Sequence, residues 1–416
     1  MIQKKCRLCS SKKLKIFLDL GNQSPSDQFI KSDKVDKEHI VYPLKVCHCM
    51  KCGFKQLNFV VDPKILYQDD YPYESSMTKA GSLHFDKFSE TVKKKFKFST
   101  NSLVLDIGSN VGVLLKSFKK RGFKVVGVDP AINICKIANA RGIKTYNSFF
   151  NKNFTELFNS KYSRAKIITA TNVFAHVSDL KTFLMNIKKI LDDKGVLIIE
   201  APHFLNLVKD LEYDTIYHEH LSYITIKPLI NFFKKFNLEI IDVVKSDIHG
   251  GSIRIFISKK NKFKVNKNVK ITIKKEDNAK LNDFKKLLEF SKKVSDNRYD
   301  LLKFLIKCKQ SNKKVVGLSA PAKGMTLLNF SRIDNHFLDY VTEKSKLKIG
   351  KFTPGTNLKV FSDKKLLQTM PDYALILAWN FKKEIIKNNI KYLQKGGSFI
   401  VPIPKLRIIT KKNIKI

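Results

Sequence analysis

Residues 102–131, SLVLDIGSNVGVLLKSFKKRGFKVVGVDPA, carry the pattern that decides the fold class. The apolar run from Leu103 to Leu105 predicts a buried strand, and it enters Asp106-Ile107-Gly108-Ser109-Asn110-Val111-Gly112. Apolar residues at Val113, Leu114, Leu115 and Phe118 then predict a helix, and Val125 to Val128 a second strand. Glycines in the connecting loop let the backbone approach a ligand where a side chain would collide. Asp129 ends the second strand, about 20 residues past the loop, where a carboxylate can accept from both hydroxyls of a ribose.

A dinucleotide loop has G-x-G-x-x-G, with room for pyrophosphate at the helix start. Here the pattern is D-x-G-x-x-x-G, which resembles motif I of the class I S-adenosylmethionine-dependent methyltransferases; an NAD-binding Rossmann domain is the alternative. Strand-like Ile143 to Thr145 leads into Tyr146-Asn147-Ser148-Phe149-Phe150, where an adenine contact is expected, and Ile167 to Thr171 leads into Asn172. No N-P-P-Y or D-P-P-Y tetrapeptide stands there, which argues against a nucleic-acid amino methyltransferase.

Five of seven cysteines lie in the first 52 residues, as Cys6-x-x-Cys9 and Cys47, Cys49 and Cys52. Two CxxC pairs about 40 residues apart predict one tetrahedral zinc, since each turn presents two thiolates to the same ion. Cys6, Cys9, Cys49 and Cys52 are the expected ligands, with Cys47 or His48 able to replace one. A site closed by four ligands leaves no position for chemistry, so the metal is a folding staple.

Three histidine segments follow: Asn172 to His176, Tyr217-His218-Glu219-His220, and His249-Gly250-Gly251. The tetrad is not H-E-x-x-H, so a zinc hydrolase is disfavoured. In a helical segment Tyr217 and His220, three apart, share a face; in an extended one His218 and His220 do.

Taken with Gln23 to Asp27, Tyr71-Pro72-Tyr73-Glu74-Ser75-Ser76, Glu200-Ala201-Pro202 and Lys348-x-Gly350, the chain resembles, over nearly its full length, the sugar C-methyltransferases that act on nucleotide-linked keto-deoxysugars. The resemblance implies an α/β architecture of three domains. They are a small amino-terminal zinc-binding domain (1–75), a central class I Rossmann-like methyltransferase domain (76–262) and a carboxyl-terminal Rossmann-like α/β domain (263–416) closing the substrate cleft. It implies S-adenosylmethionine held by Asp106, Gly108, Ser109, Asn110, Gly112, Asp129, Pro130, Asn147, Phe149 and Asn172. Substrate would meet Tyr71, Tyr73, Ser75, Ser76, Glu200, His249 and Lys323, the last neutralising a pyrophosphate. Methylation of a carbon beside a ketone needs a base, a partner for the enolate oxygen and an in-line methyl donor. His220 is expected as base, His176 or Tyr217 as oxyanion partner, and Glu219 as orienter or alternative base. Val111-Gly112 departs from the Asp-Gly usual in that family, and Glu343 stands where Asp is commoner.

With 416 residues, two or three domains are expected at roughly 150 residues each. The net charge of +42 suggests a polyanion partner, but only 8 of the 79 basic residues are Arg, the side chain favoured for phosphate and base recognition. Scattered Lys reads instead as solvated surface, compatible with an anionic nucleotide-linked substrate; no nucleic-acid partner is expected. No apolar run reaches the roughly 18 residues of a membrane span, and the charged start lacks a signal-peptide core, so a cytoplasmic monomer or homodimer is expected. Residues 259–280, rich in Lys and Asn, read as a surface connector, with helix periodicity from Leu281 onward and strands near Val315, Tyr340 and Tyr373. O- or N-methylation of a small metabolite and RNA binding remain the competing functions.

Overall fold

Strand β4 (Leu103–Ile107) is buried along its whole length, as an inner strand of a parallel sheet must be. In the computed structural model, which describes residues 1–35, 40–67, 79–246 and 251–414, it is an inner strand of a seven-stranded sheet. β5 (Lys124–Asp129), β6 (Thr145–Asn147), β7 (Ala165–Thr171) and β8 (Leu191–Pro202) pair parallel around it. Their crossovers are α3 (Val113–Lys120), α4 (Ile132–Ala140), α5 (Lys152–Lys161) and α6 (Leu180–Ile190). β10 (Leu238–Ser246) and β11 (Ser252–Lys259) add antiparallel beyond β8, giving the order β10-β11-β8-β7-β4-β5-β6. The strand order reverses at β4, which opens a crevice at the carboxyl ends of the strands. Helix α2 (Lys79–Phe96) covers one face, where Phe88 and Val92 pack with Val104, Phe118 and Ile198.

The amino-terminal strands β1 (Leu14–Gln23), β2 (Tyr42–Cys49) and β3 (Lys55–Leu57) form an antiparallel sheet, which the two-residue strand β9 (Ser222–Tyr223) completes from the middle of the chain. Helix α1 (Pro63–Tyr67) follows β3. The carboxyl-terminal sheet has the order β14-β13-β12-β15-β16-β17: β12 (Val315–Leu318), β13 (Val341–Glu343), β14 (Val360–Ser362), β15 (Tyr373–Ile376) and β16 (Ser398–Val401) run parallel, with β17 (Arg407–Ile409) antiparallel at the edge.

One apolar core runs from Phe17, Leu44 and Val46 of the amino-terminal sheet through Phe204 and Tyr213 to Leu301, Leu318 and Ile376. A second joins Cys6, Leu8 and Phe54 to the central domain. The amino-terminal unit is therefore a wedge between the other two.

The reading of 259–280 as a surface connector is corrected. After α7 (Phe204–Lys209) and α8 (Ile226–Lys234) the chain forms helix α9 (Lys267–Asn278). Its polar sequence hides two anchors. Val269 enters the central core, and buried Glu276 accepts the Ile226 N–H at 2.8 Å and meets His203 Nε2 at 2.8 Å. Helices α10 (Phe284–Gln310) and α11 (Ala322–Ser331) then build the carboxyl-terminal domain.

Candidate active site

A cavity of about 1080 Å³ opens at the carboxyl ends of β4, β5, β7 and β8, walled by all three parts of the chain. Loop residues Asp106, Gly108, Ser109 and Asn110, then Asp129, Pro130, Phe149 and Asn172, line one side. Gly108 sits at φ +64°, and a Cβ there would stand 2.3 Å from Val173 Cγ2. Gly108→Ala is therefore expected to weaken S-adenosylhomocysteine binding about tenfold or more, since the loop must move to relieve both strain and collision; isothermal calorimetry measures it. The Asp129 carboxylate accepts the backbone N–H of Asn110 at 2.9 Å and of Ala131 at 3.0 Å, which aims it along the strand end. Burial pushes Asp106 up to about 7, against a hydrogen bond donated by the Thr169 hydroxyl at 2.6 Å.

Two expected cofactor residues do not reach the cavity. Gly112 caps α3 at φ +78°, where a Cβ would press on Ile143. Asn147, at the end of β6, donates its amide to the Pro130 and Asp129 carbonyls and so braces the β5 turn. The adjoining Ser148, Phe149 and Phe150 line the wall instead. The expectation for Glu200 is also corrected. It is buried behind the wall, with one oxygen against His84 Nε2 at 2.6 Å and the other taking Arg254 Nε and an η nitrogen at 3.0 and 2.7 Å. Burial would raise Glu200, but His84 and Arg254 together hold it below the usual carboxylate range.

The tetrad forms a turn, closed by the His220 N–H on the Tyr217 carbonyl at 2.9 Å. The turn, though not a helix, makes the pairing expected of the helical alternative: the rings of Tyr217 and His220 lie 4.1 Å apart, while His218 bonds the Tyr42 carbonyl. Tyr217, Glu219, His220 and His176 all line the cavity, with the two imidazoles 5.1 Å apart. His220 Nδ1 lies 2.6 Å from the Thr215 carbonyl, which can only accept; the ring proton is thereby fixed on Nδ1 and the lone pair on Nε2. Burial, then the neighbouring His220, pushes His176 well below the ordinary histidine value, so it is neutral; its Nε2 has no hydrogen-bond partner among the described residues.

Tyr67 stacks on His176 at 5.9 Å with rings nearly parallel, and burial, Glu219 and Asp27 raise its phenol well above the usual value. Opposite, Lys323 in the first turn of α11 lines the cavity. Its ammonium lies 4.4 Å from the Trp379 ring centre and makes no hydrogen bond among the described residues. Lys348 joins it, braced by the Ala320 carbonyl at 2.9 Å and Asp27 at 3.4 Å. Sequence reading missed Tyr67 and His84, which no local spacing marks, and noted Lys348 only as part of the Lys348-x-Gly350 motif. Tyr71, Tyr73, Ser75, Ser76 and His249 lie outside the described residues.

The sulfurs of Cys6, Cys9, Cys49 and Cys52 all lie within 4.8 Å of one another, with the pairs Cys6–Cys52 and Cys9–Cys49 at 3.6 Å. Tetrahedral zinc thiolates at about 2.3 Å require sulfur separations near 3.8 Å, so the four fit the ion. Cys47 is buried elsewhere and pushed up to about 11 by that burial.

Comparison with known families agrees with this anatomy. Residues 6–67 match a zinc binding domain, 83–243 a methyltransferase domain, and 247–404 the C-methyltransferase C-terminal domain. C-methyltransferase NovU of Streptomyces niveus is 30% identical over 98% of this chain and 97% of its own. A ubiquinone biosynthesis O-methyltransferase of Bradyrhizobium sp. (strain ORS 278) is 27% identical over 30% of this chain and 51% of its own. A crystal structure of an S-adenosylmethionine-dependent methyltransferase from Clostridium acetobutylicum ATCC 824 overlays with a TM-score of 0.35 at 15% identity, covering 43% of this chain and 92% of that one. Among the described residues no helix is long and apolar enough to cross a membrane. With NovU matched from end to end and a four-cysteine cluster that fits zinc, the chain belongs to the S-adenosylmethionine-dependent C-methyltransferases.

Proposed function

We propose that the chain methylates the carbon, C3, next to the 4-keto group of a nucleotide-diphosphate deoxysugar through an enolate, in the cytoplasm. The observation that carries this reading is the meeting of His220, tautomer-fixed by Thr215, with His176 and Tyr217 in the cavity that the cofactor loop also lines. S-adenosylmethionine, when bound, supplies the electrophilic methyl group.

The protein's part is proton transfer and charge placement. His220 Nε2 takes the α-proton as general base. His176 Nε2 or the Tyr217 phenol donates to the oxygen as negative charge develops there; a neutral, desolvated donor needs no reorganisation at that moment. Glu219 orients the ring or substrate. Lys323 and Lys348, beside the amino-terminal end of α11, offer positive charge to a diphosphate. Lys323→Met is expected to raise KM for the sugar nucleotide about tenfold, with cofactor affinity unchanged, in steady-state kinetics.

The test of the reaction is methyl transfer from isotopically labelled S-adenosylmethionine to dTDP-, GDP- and CDP-4-keto-deoxysugars in deuterated water, read by mass spectrometry and NMR. Label on carbon, with solvent deuterium entering the α-position even without cofactor, supports the enolate route. Label on oxygen or nitrogen overturns it.

A further inference from the structure

Glu200, Arg254 and His84 form a hydrogen-bonded group that the reaction above does not use. Glu200 is 1% exposed and splits its oxygens between the Arg254 guanidinium, itself lying over the Phe88 ring at 3.7 Å, and His84 Nε2. A buried carboxylate with a nitrogen partner on each oxygen is held in one geometry. Glu200 does not reach the cavity, but His84 does. Its Nε2 faces inward to Glu200, and the ring makes no other hydrogen bond among the described residues. The edge left for a ligand is Nδ1.

The strand order says which end of the cofactor arrives there. Asp129 ends β5, and Ser148 to Phe150 follow β6; these are the walls for ribose and adenine. Crossing the sheet from β6, the strands run β5, β4, β7 and β8, and Glu200 lies on β8 opposite Thr171 of β7. A nucleoside seated over β5 and β6 therefore directs its amino-acid end past Gly108 toward β7 and β8, on the side covered by α2. That end carries the cofactor's only carboxylate.

We propose that His84, oriented by Glu200, binds the α-carboxylate of S-adenosylmethionine. The ring then bridges two carboxylates, the cofactor's on Nδ1 and Glu200 on Nε2. It makes His84 a cofactor-binding residue supplied by α2, 22 positions before Asp106 and outside the glycine loop.

The test is calorimetry on zinc-loaded His84→Gln with two ligands, S-adenosylhomocysteine and 5′-methylthioadenosine, the second lacking the amino-acid end. The expected result is a rise of about tenfold in Kd for S-adenosylhomocysteine, with Kd for 5′-methylthioadenosine within twofold of wild type. Unchanged affinity for S-adenosylhomocysteine overturns the proposal. So does an equal loss for both ligands, which would mean that the substitution disturbs α2 as a whole. Neither outcome depends on the identity of the methyl acceptor.

Discussion

His220→Asn is expected to lower kcat by a factor of about a hundred to ten thousand while leaving the Kd for S-adenosylhomocysteine within twofold, measured by labelled methyl transfer and calorimetry. Asparagine approximates the size of imidazole and can still bond the Thr215 carbonyl 2.6 Å from His220 Nδ1. It cannot take a proton at Nε2. The same variant loses solvent deuterium exchange at the α-carbon, because exchange needs the base and not the methyl donor. Retention of wild-type exchange would move the base to Glu219 or His176. His176→Asn is the informative comparison. The wild-type ring is neutral and lies 5.1 Å from His220, so its loss lowers kcat by removing an oxygen partner, with a smaller effect on exchange.

Cys49→Ser is expected to drop zinc content from one per chain to a small fraction and to destabilise the protein, followed by elemental analysis and thermal melting with and without chelator. Coordination of structural zinc supplies on the order of 10 kcal/mol of folding free energy in small domains. Cys49 is fully buried at the end of β2 and faces Cys9 across 3.6 Å. The effect reaches the reaction because Asp27 and Tyr67 of the same unit line the cavity and the unit's core is continuous with both neighbours. Cys47→Ser, two positions away but outside the sulfur cluster, keeps its zinc. Full zinc in Cys49→Ser would overturn the ligand set.

Short-range pattern was enough wherever a few neighbouring residues carry the physics. The two CxxC turns, the D-x-G-x-x-x-G loop between two apolar runs, and the strand-loop-helix at Val315 to Lys323 each report local geometry directly. The sequence also limited the tetrad to two arrangements; a turn closed on the Tyr217 carbonyl chose between them. Tertiary structure decided what local pattern does not encode. Glu200 is expected at the substrate, yet contacts from residues 116 positions before it and 54 after it turn it inward as an anchor. Helix α9 reads as solvated linker because lysine dominates it, while Val269 and Glu276 fix its docking. The amino-terminal unit reads as a separate module because its metal ligands are local. Its buried faces are completed by side chains more than 150 residues away, since a sheet this small cannot bury both faces by itself. Zinc chemistry and cofactor-loop geometry are near-neighbour properties and stand in the sequence; the identity of the cavity's walls is a sum over distant contacts, and only the folded chain performs it.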